Sequence, residues 1–175
     1  LTITYAVKVN DGTIDSATQD VTFTITGTND GPVLSDTTNP AAVLEAGVLG
    51  DSSAQNLDAI IGSFALSDQD MGDTLTASVV GSPVVKLDNV TITTGFPAEL
   101  TAAGVFTIAP LTQTSNGGAA TAIGYTYDPV AADLDFLRPG QQLTITYALK
   151  VNGGTIESAT QDVTFTITGT NDGPV

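Results

Sequence analysis

The chain has 175 residues, enough for one or two domains, and its hydrophobic content of 41% argues against a disordered chain. A formal net charge of −15 argues against nucleic acid and anionic membranes as partners, because both require a basic surface. Cysteine and histidine are absent, which excludes disulfides, zinc–thiolate sites and thiol nucleophiles.

Sixteen of the nineteen acidic residues are Asp, whose short carboxylate is common in turns and in divalent-cation sites. A merely soluble or halophile-like acidic surface would have the same composition, but we favour cation binding. Abundant Thr and Val with many Gly and Pro indicate β structure with frequent turns. No apolar run approaches the ~20 residues that span a bilayer. The chain begins inside a strand pattern, so we expect it to be part of a longer protein.

The first 33 residues form a strand–turn–strand pattern that recurs at residues 143–175. At an offset of 142, 30 of the 33 positions are identical, and the differences are Val7/Leu149, Asp11/Gly153 and Asp15/Glu157. Such identity indicates recent tandem duplication of a unit that is too long for a solenoid repeat. We expect residues 34–175 to be one complete unit. Residues 1–33 would then be the C-terminal hairpin and linker of the preceding unit.

Period-2 alternation predicts the strands of the complete unit. They are expected at residues 42–44, 59–66, 74–80, 90–93, 104–109, 124–128, 143–151 and 163–168. The last two would direct alternate residues inward, namely Leu143, Ile145, Tyr147, Leu149, Val151, Val163, Phe165 and Ile167. A turn-rich hairpin connection joins them. These short strands predict an all-β, Ig-like or cadherin-like antiparallel β-sandwich, with extra strands or long loops in residues 82–122.

Strand direction places the acidic loops of such a sandwich at its two ends. The loop at residues 67–73, between the second and third strands, lies beside the entering linker at residues 26–33. The segment at residues 128–140 lies at the opposite end, beside the exit linker at residues 168–175. We call the end beside the entering linker the upper end and the end beside the exit linker the lower end. The upper group is therefore predicted to contain Asn29, Asp30, Asp68, Asp70 and Asp73. The lower group is predicted to contain Glu45, Asp133, Asp135, Asn171 and Asp172.

Both groups consist of oxygen donors that would repel one another without a cation. Two carboxylates ~5 Å apart repel by roughly 3 kcal/mol at an effective dielectric constant of 20. Ca²⁺ accepts 6–8 oxygen ligands in flexible geometry, whereas Mg²⁺ requires a tighter octahedron. Zinc is disfavoured, because the chain has no His or Cys to supply the imidazole and thiolate ligands that zinc prefers. We therefore predict Ca²⁺, although the loop at residues 67–73 lacks the complete EF-hand pattern.

Each motif also has a simpler interpretation. The NDG before Pro is an ordinary turn, and DQDMGD can be a solvated polar loop. In LDFL, Leu134 and Phe136 can pack inward with Asp135 outside, and Glu45 can be a lone surface acid. The metal interpretation is favoured because the topology brings these separate motifs together at the linkers.

The repeated phrase TGTNDGPV resembles the TGTNDAP signature of VCBS repeats in very large bacterial surface proteins and RTX-type adhesins. FALSDQDMGDTLTASVV resembles their TDxDxGDTLT stretch. YTYDPVAADLDFLRPGQQLTITYALKVNGG resembles their YTP…LxxGQTLTxTFTVTVxDG stretch. The arrangement is also similar to cadherin repeats, in which a linker Asn-Asp, a D-x-D, an LDRE-like segment and an early Glu hold calcium. That similarity implies the ligands Asn29, Asp30, Asp68 and Asp70 above, and Glu45, Asp135, Asn171 and Asp172 below.

The chain departs from the family pattern at two places. The Asp-Gly that follows the penultimate strand is Asp11-Gly12 in the partial unit but Gly153-Gly154 in the complete one, which puts a ligand there in doubt. LDFL has no acid in the position of the Glu in LDRE, so the lower site would hold fewer ions.

The resemblance implies a calcium-rigidified structural extender repeat of a giant secreted bacterial adhesin, extracellular at the cell surface and supporting adhesion or biofilm formation. A glycan-binding or homophilic adhesion module is the alternative, and the outward Thr rows allow a surface-binding face. However, the chain has no Trp, so it is poorly suited to form an aromatic surface for sugar binding. Asp68/Asp70 and Asp133/Asp135 mimic a glycosidase pair, but no nucleophile motif accompanies them, so we expect no enzyme.

The hairpin of residues 1–33 would lack a sandwich of its own. Its apolar residues Tyr5, Val7, Phe23 and Ile25 would then be exposed. We expect the hairpin to be poorly ordered or completed by a neighbouring chain, with head-to-tail self-association as the consequence.

Overall fold

The computed structural model describes residues 1–45, 57–129 and 132–171. Its strands are β1 (Thr2–Val7), β2 (Gln19–Thr24), β3 (Val33–Ser35), β4 (Val43–Leu44), β5 (Ile60–Ser67), β6 (Thr74–Leu87), β7 (Val90–Thr91), β8 (Phe106–Ala109), β9 (Thr112–Thr114), β10 (Thr121–Tyr127), β11 (Gln142–Asn152) and β12 (Gln161–Thr168). One 3₁₀-helix, Ala98–Thr101, precedes β8. Within the described ranges, no helix has the length and apolarity needed to cross a bilayer.

The strands form two sheets that share one core, and a separate ribbon. One sheet has the order β3-β5-β10-β8. The other has the order β4-β12-β11-β6-β7, with β9 also paired to β6. Every pairing is antiparallel except that of β4 with β12, which is parallel. The predicted Ig-like β-sandwich is confirmed, and β5 and β6 lie in opposite sheets as the loop placement requires.

Alternating side chains of both sheets form the core between them. All eight residues predicted to point inward from β11 and β12 are buried, with at most 5% of their surface exposed. Phe165 stacks on Tyr127 with ring centroids 4.3 Å apart, and Tyr147 stacks on Phe106 at 4.5 Å. The Tyr127 hydroxyl donates to the backbone oxygen of Leu100 at 3.0 Å, which fastens the 3₁₀-helix to the core. These aromatic contacts hold the two sheets together.

Strand β6 is longer than the predicted residues 74–80, because the segment after Val80 rejoins the ladder. The β11 partners jump from Ala148–Val80 to Thr146–Val84, so the intervening Gly-Ser-Pro leaves the ladder as a bulge. Pro lacks the N–H that a ladder needs, and Gly81 adopts a positive φ of 67°. β6 then turns into β7. Strands β3 and β9 were not predicted, because Val-Leu-Ser and Thr-Gln-Thr do not alternate between apolar and polar residues.

Strands β1 and β2 pair with each other and with no other described strand. Thr2 pairs with Thr24, and Thr144 pairs with Thr166 at the equivalent positions of β11 and β12. The two hairpins therefore have the same register. Strand β3 of the sandwich begins at Val33, the last residue of the linker.

Candidate metal centre

Three carboxylates converge in the loop between β5 and β6. One carboxylate oxygen each from Asp68, Asp70 and Asp73 lies within 4.8 Å of the others. In the described part of the chain, no other three His, Cys, Asp or Glu side chains form such a group. At an effective dielectric constant of 20, each ionised pair repels by about 3 kcal/mol. The arrangement is therefore suited to a divalent cation, which would remove this repulsion.

Asp68 is the buried member of the cluster, with 2% of its surface exposed. Its Oδ1 accepts a hydrogen bond from the Asp70 backbone N–H at 3.0 Å. Its Oδ2 is also buried, and no donor among the described residues bonds to it. A Cβ placed on Gly153 would lie 3.1 Å from that oxygen. Because an unpaired buried carboxylate oxygen is costly, this atom is a suitable cation ligand.

The entering linker contacts the cluster. The Asp30 backbone N–H donates to Asp70 Oδ2 at 2.7 Å. The Asn29 side-chain amide donates to the Asp30 backbone oxygen at 2.7 Å. Next along the linker, Pro32 is buried, and Gly31 approaches Ile156 of the β11–β12 connection. The five residues predicted for the upper group thus lie together, although the side chains of Asn29 and Asp30 are exposed.

Glu45 lies at the opposite end of the sandwich, against the exit linker. Only 1% of its surface is exposed, so it is not a lone surface acid. Its Oε2 accepts a hydrogen bond from Thr170 N at 2.9 Å, and Thr170 Oγ1 donates to its backbone oxygen at 3.2 Å. The backbone N–H of Glu45 donates to Thr168 O at 2.9 Å. Glu45 therefore holds the end of β12 in place.

The segment with Asp133 and Asp135 also lies near the exit linker. The backbone N–H of Gly140 donates to Gly169 O, and that of Gly169 donates to Gln141 O, both at 2.9 Å. Asp133 Oδ1 accepts from the Asp135 backbone N–H at 3.1 Å, and both side chains are exposed. Between and beyond them, Leu134 and Leu137 are buried and Phe136 is half-buried. The local packing therefore matches the inward-packing alternative for LDFL.

The predicted lower ligands are less closely grouped than the upper ones. Asn171 is exposed, and Asp172 lies outside the described residues. Among the described residues, Glu45, Asp133 and Asp135 do not place three carboxylate oxygens within 4.8 Å of one another, as the upper carboxylates do. The lower ligand set remains a prediction.

Ser115 also contacts the acidic loop, although no sequence pattern predicts it. Its side chain is 6% exposed, and its Oγ accepts from the Asp73 backbone N–H at 2.9 Å. In the sequence, TSNGG reads as an ordinary turn more than 40 residues from the loop, so no local pattern signals this contact.

No protein-family model matches the chain, and no curated protein matches it. Solved structures that resemble it include the ASH/PapD-like domain of human CEP192, with a TM-score of 0.40 and 10% identity over 86% of this chain and 92% of that one. The periplasmic chaperone SfaE has a TM-score of 0.38 and 12% identity, over 81% of this chain and 58% of that one. The CooA pilin subunit from enterotoxigenic Escherichia coli has a TM-score of 0.36 and 14% identity, over 83% and 99%. Similarities this low say nothing about function, and the sandwich assignment stands on the strand order described above.

Proposed function

We propose that the complete unit is a structural extender repeat of a secreted bacterial surface adhesin, made rigid by Ca²⁺ at its linkers. The observation that carries this proposal is the hydrogen bond from Asp30 of the linker to Asp70 of the acidic loop. A cation bound to Asp70 would fix the carboxylate to which the linker is attached. Binding at the loop would thereby restrict the direction in which the preceding unit projects.

Asp68, Asp70 and Asp73 would supply the carboxylate ligands of this cation. An all-oxygen site with one buried and two half-buried carboxylates suits Ca²⁺, which tolerates irregular geometry and retains water where protein ligands are missing. Three carboxylates carry one more negative charge than one Ca²⁺ neutralises. In this chain the remaining coordination positions would be filled by neutral groups such as linker amide oxygens, backbone carbonyls or water.

The lower end would form the other half of a junction with the next repeat. Its exit phrase at residues 168–175 is identical to the entry phrase at residues 26–33, so a following unit would present the same acidic loop to it. Glu45, Asp133, Asp135, Asn171 and Asp172 are the residues that this end would bring to the junction. Because near-identical copies provide length rather than diversity, the repeat would extend a distal adhesion domain from the cell surface, in adhesion or biofilm formation.

The proposal is tested by small-angle X-ray scattering on a tandem protein of several units. We expect a rod-like maximum dimension in Ca²⁺ and a shorter, broader distance distribution in EDTA. Replacing Asp70→Asn in every unit should reproduce the EDTA profile in Ca²⁺. Asp162→Asn, an exposed acid on β12 outside the cluster, is the matched control and should remain rod-like. An unchanged maximum dimension with and without Ca²⁺ would contradict the proposal.

A further inference from the structure

A segment distant in sequence lies against the acidic loop. Residues 112–118, named the brace from here on, comprise β9 and the turn that follows it. β9 pairs with the start of β6, where Thr74 faces Thr114 and Thr76 faces Thr112. The brace is therefore anchored to the strand that leaves the acidic loop, and it lies within residues 82–122, where the sequence predicts extra strands or long loops.

The brace binds the backbone oxygens of all three aspartates in the cluster. Gly118 N donates to Asp68 O at 2.6 Å, and Ser115 N donates to Asp73 O at 2.8 Å. The Ser115 hydroxyl donates to Asp70 O. These three carbonyls are thus directed toward the brace. At these three residues the carboxylates remain as the groups available to a cation.

Ser115 also accepts hydrogen bonds from the acidic loop. Its Oγ accepts from Asp73 N at 2.9 Å, and its backbone oxygen accepts from Gly72 N at 3.2 Å. A single buried residue therefore contacts both the donors and the acceptors of the loop. Such contacts restrict the backbone of the loop even though its carboxylates repel one another.

We propose that the brace holds the acidic loop in the conformation in which its three carboxylates converge for cation binding, with Ser115 as the positioning residue. This inference rests on the proposed calcium function, and it assigns the extra segment of the unit a role in that site. Without the Ser115 hydroxyl, repulsion would separate the three carboxylates before an ion arrives. The cation would then have to reassemble its own ligands, which weakens binding.

Calorimetric titration of Ca²⁺ into the whole chain tests the inference with three variants. Ser115→Ala removes the hydroxyl, and we expect its dissociation constant for Ca²⁺ to rise about tenfold, as for other residues that orient metal ligands. Ser115→Thr retains the hydroxyl and should recover affinity. Ser63→Ala removes an exposed hydroxyl of β5, outside both the brace and the acidic loop, and should bind like the wild type. Thermal unfolding in EDTA and in Ca²⁺ supplies the readout that separates positioning from general stability.

A positioning role predicts that the increase in melting temperature produced by Ca²⁺ is smaller in Ser115→Ala than in the wild type. If Ser115→Ala melts lower by the same amount in both buffers and binds Ca²⁺ with wild-type affinity, the inference is overturned and the calcium function stands. If the wild type binds no Ca²⁺, both are overturned. Should Ser115→Ala fail to fold, wild-type affinity in Gly118→Ala, which strains the positive φ of 85° at that brace residue, would also overturn the inference.

Discussion

The two hairpins of this chain share almost the same sequence and the same register, yet their surroundings differ. Tyr147 and Phe165 of the β11–β12 hairpin are 5% and 0% exposed, whereas the equivalent Tyr5 and Phe23 of β1–β2 are 59% and 54% exposed. Both aromatic pairs have ring centroids 6.2 Å apart in an edge-on arrangement. The local sequence thus determines the hairpin and its aromatic pair. Burial depends on strands elsewhere in the chain.

The largest expected effect separates the two aromatic positions directly. Phe165→Ala should destabilise the sandwich by about 3–5 kcal/mol, because it removes a fully buried ring from the aromatic core. Phe23→Ala should change the free energy of unfolding of the sandwich by less than ~0.5 kcal/mol. Chemical denaturation of both variants measures the difference, and equal losses of stability would contradict the different surroundings of the two rings.

Self-association is the next largest effect. The exposed face of β1–β2 should drive weak association between copies of the chain, because large uncovered apolar patches are rare on monomers. Combined Tyr5→Ser and Phe23→Ser should weaken it by about 2 kcal/mol, roughly 30-fold in the dissociation constant. Thr4→Ser and Thr22→Ser on the opposite face are the control. Sedimentation at rising protein concentration tests this, and a strictly monomeric wild type would contradict it.

The difference between Asp11 and Gly153 leads to a smaller effect at the metal centre. Asp11 Oδ1 accepts hydrogen bonds from Ile14 N and Thr13 N, each at 2.9 Å, and these bonds lower the pKa of that carboxyl. The turn of the β1–β2 hairpin therefore accommodates Asp. In Gly153→Asp, the new Cβ would lie 3.1 Å from both Asp68 Oδ2 and Pro32 Cδ, so Pro32 would have to shift slightly as a fourth carboxylate enters beside Asp68. The dissociation constant for Ca²⁺ should then fall about tenfold, because ligand charge tunes affinity. Gly153→Asn is the control in titration calorimetry. Equal affinity of the two variants would argue against a cation beside Asp68.

The smallest effect concerns the tyrosine hydroxyls. Tyr147 Oη is buried without a hydrogen-bond partner among the described residues, so Tyr147→Phe should be neutral or about 1 kcal/mol more stable. Tyr127→Phe loses the bond to Leu100 O and should be about 1 kcal/mol less stable. Denaturation at neutral pH checks both values, and a large loss in Tyr147→Phe would contradict the assignment.

The same hydroxyl makes a pH-dependent contribution. Burial raises the pKa of Tyr147 to about 12, above its ordinary value near 10. Below about pH 10 the Tyr147 hydroxyl is neutral in both the folded and the unfolded chain, and its full contribution to stability is present. As the pH rises from 10 toward 12, the hydroxyl ionises in the unfolded chain before it ionises in the folded one, so this contribution is lost. Tyr147→Phe should lose less stability than the wild type over that interval.

Alternation in β11 and β12 and the direction of the strands were readable from the sequence. Together they predicted the sandwich, and they put Asp68 and Asp70 next to the linker. The extension of β6 was not predictable, because Gly81 and a nearby Pro look like the end of a strand and only the pairing with β11 restores the ladder. The contact of Ser115 with the acidic loop was equally hidden, since hydrogen bonds across more than 40 residues leave no local pattern.

The central claim is that a divalent cation joins the entering linker to the acidic loop. An anomalous difference map from a crystal of this chain grown in millimolar Ca²⁺ tests it most directly. We predict one strong peak within ~2.3–2.6 Å of carboxylate oxygens from Asp68, Asp70 and Asp73. A well-ordered acidic loop with no anomalous peak, its carboxylates bonded only to water and backbone amides, would contradict the claim.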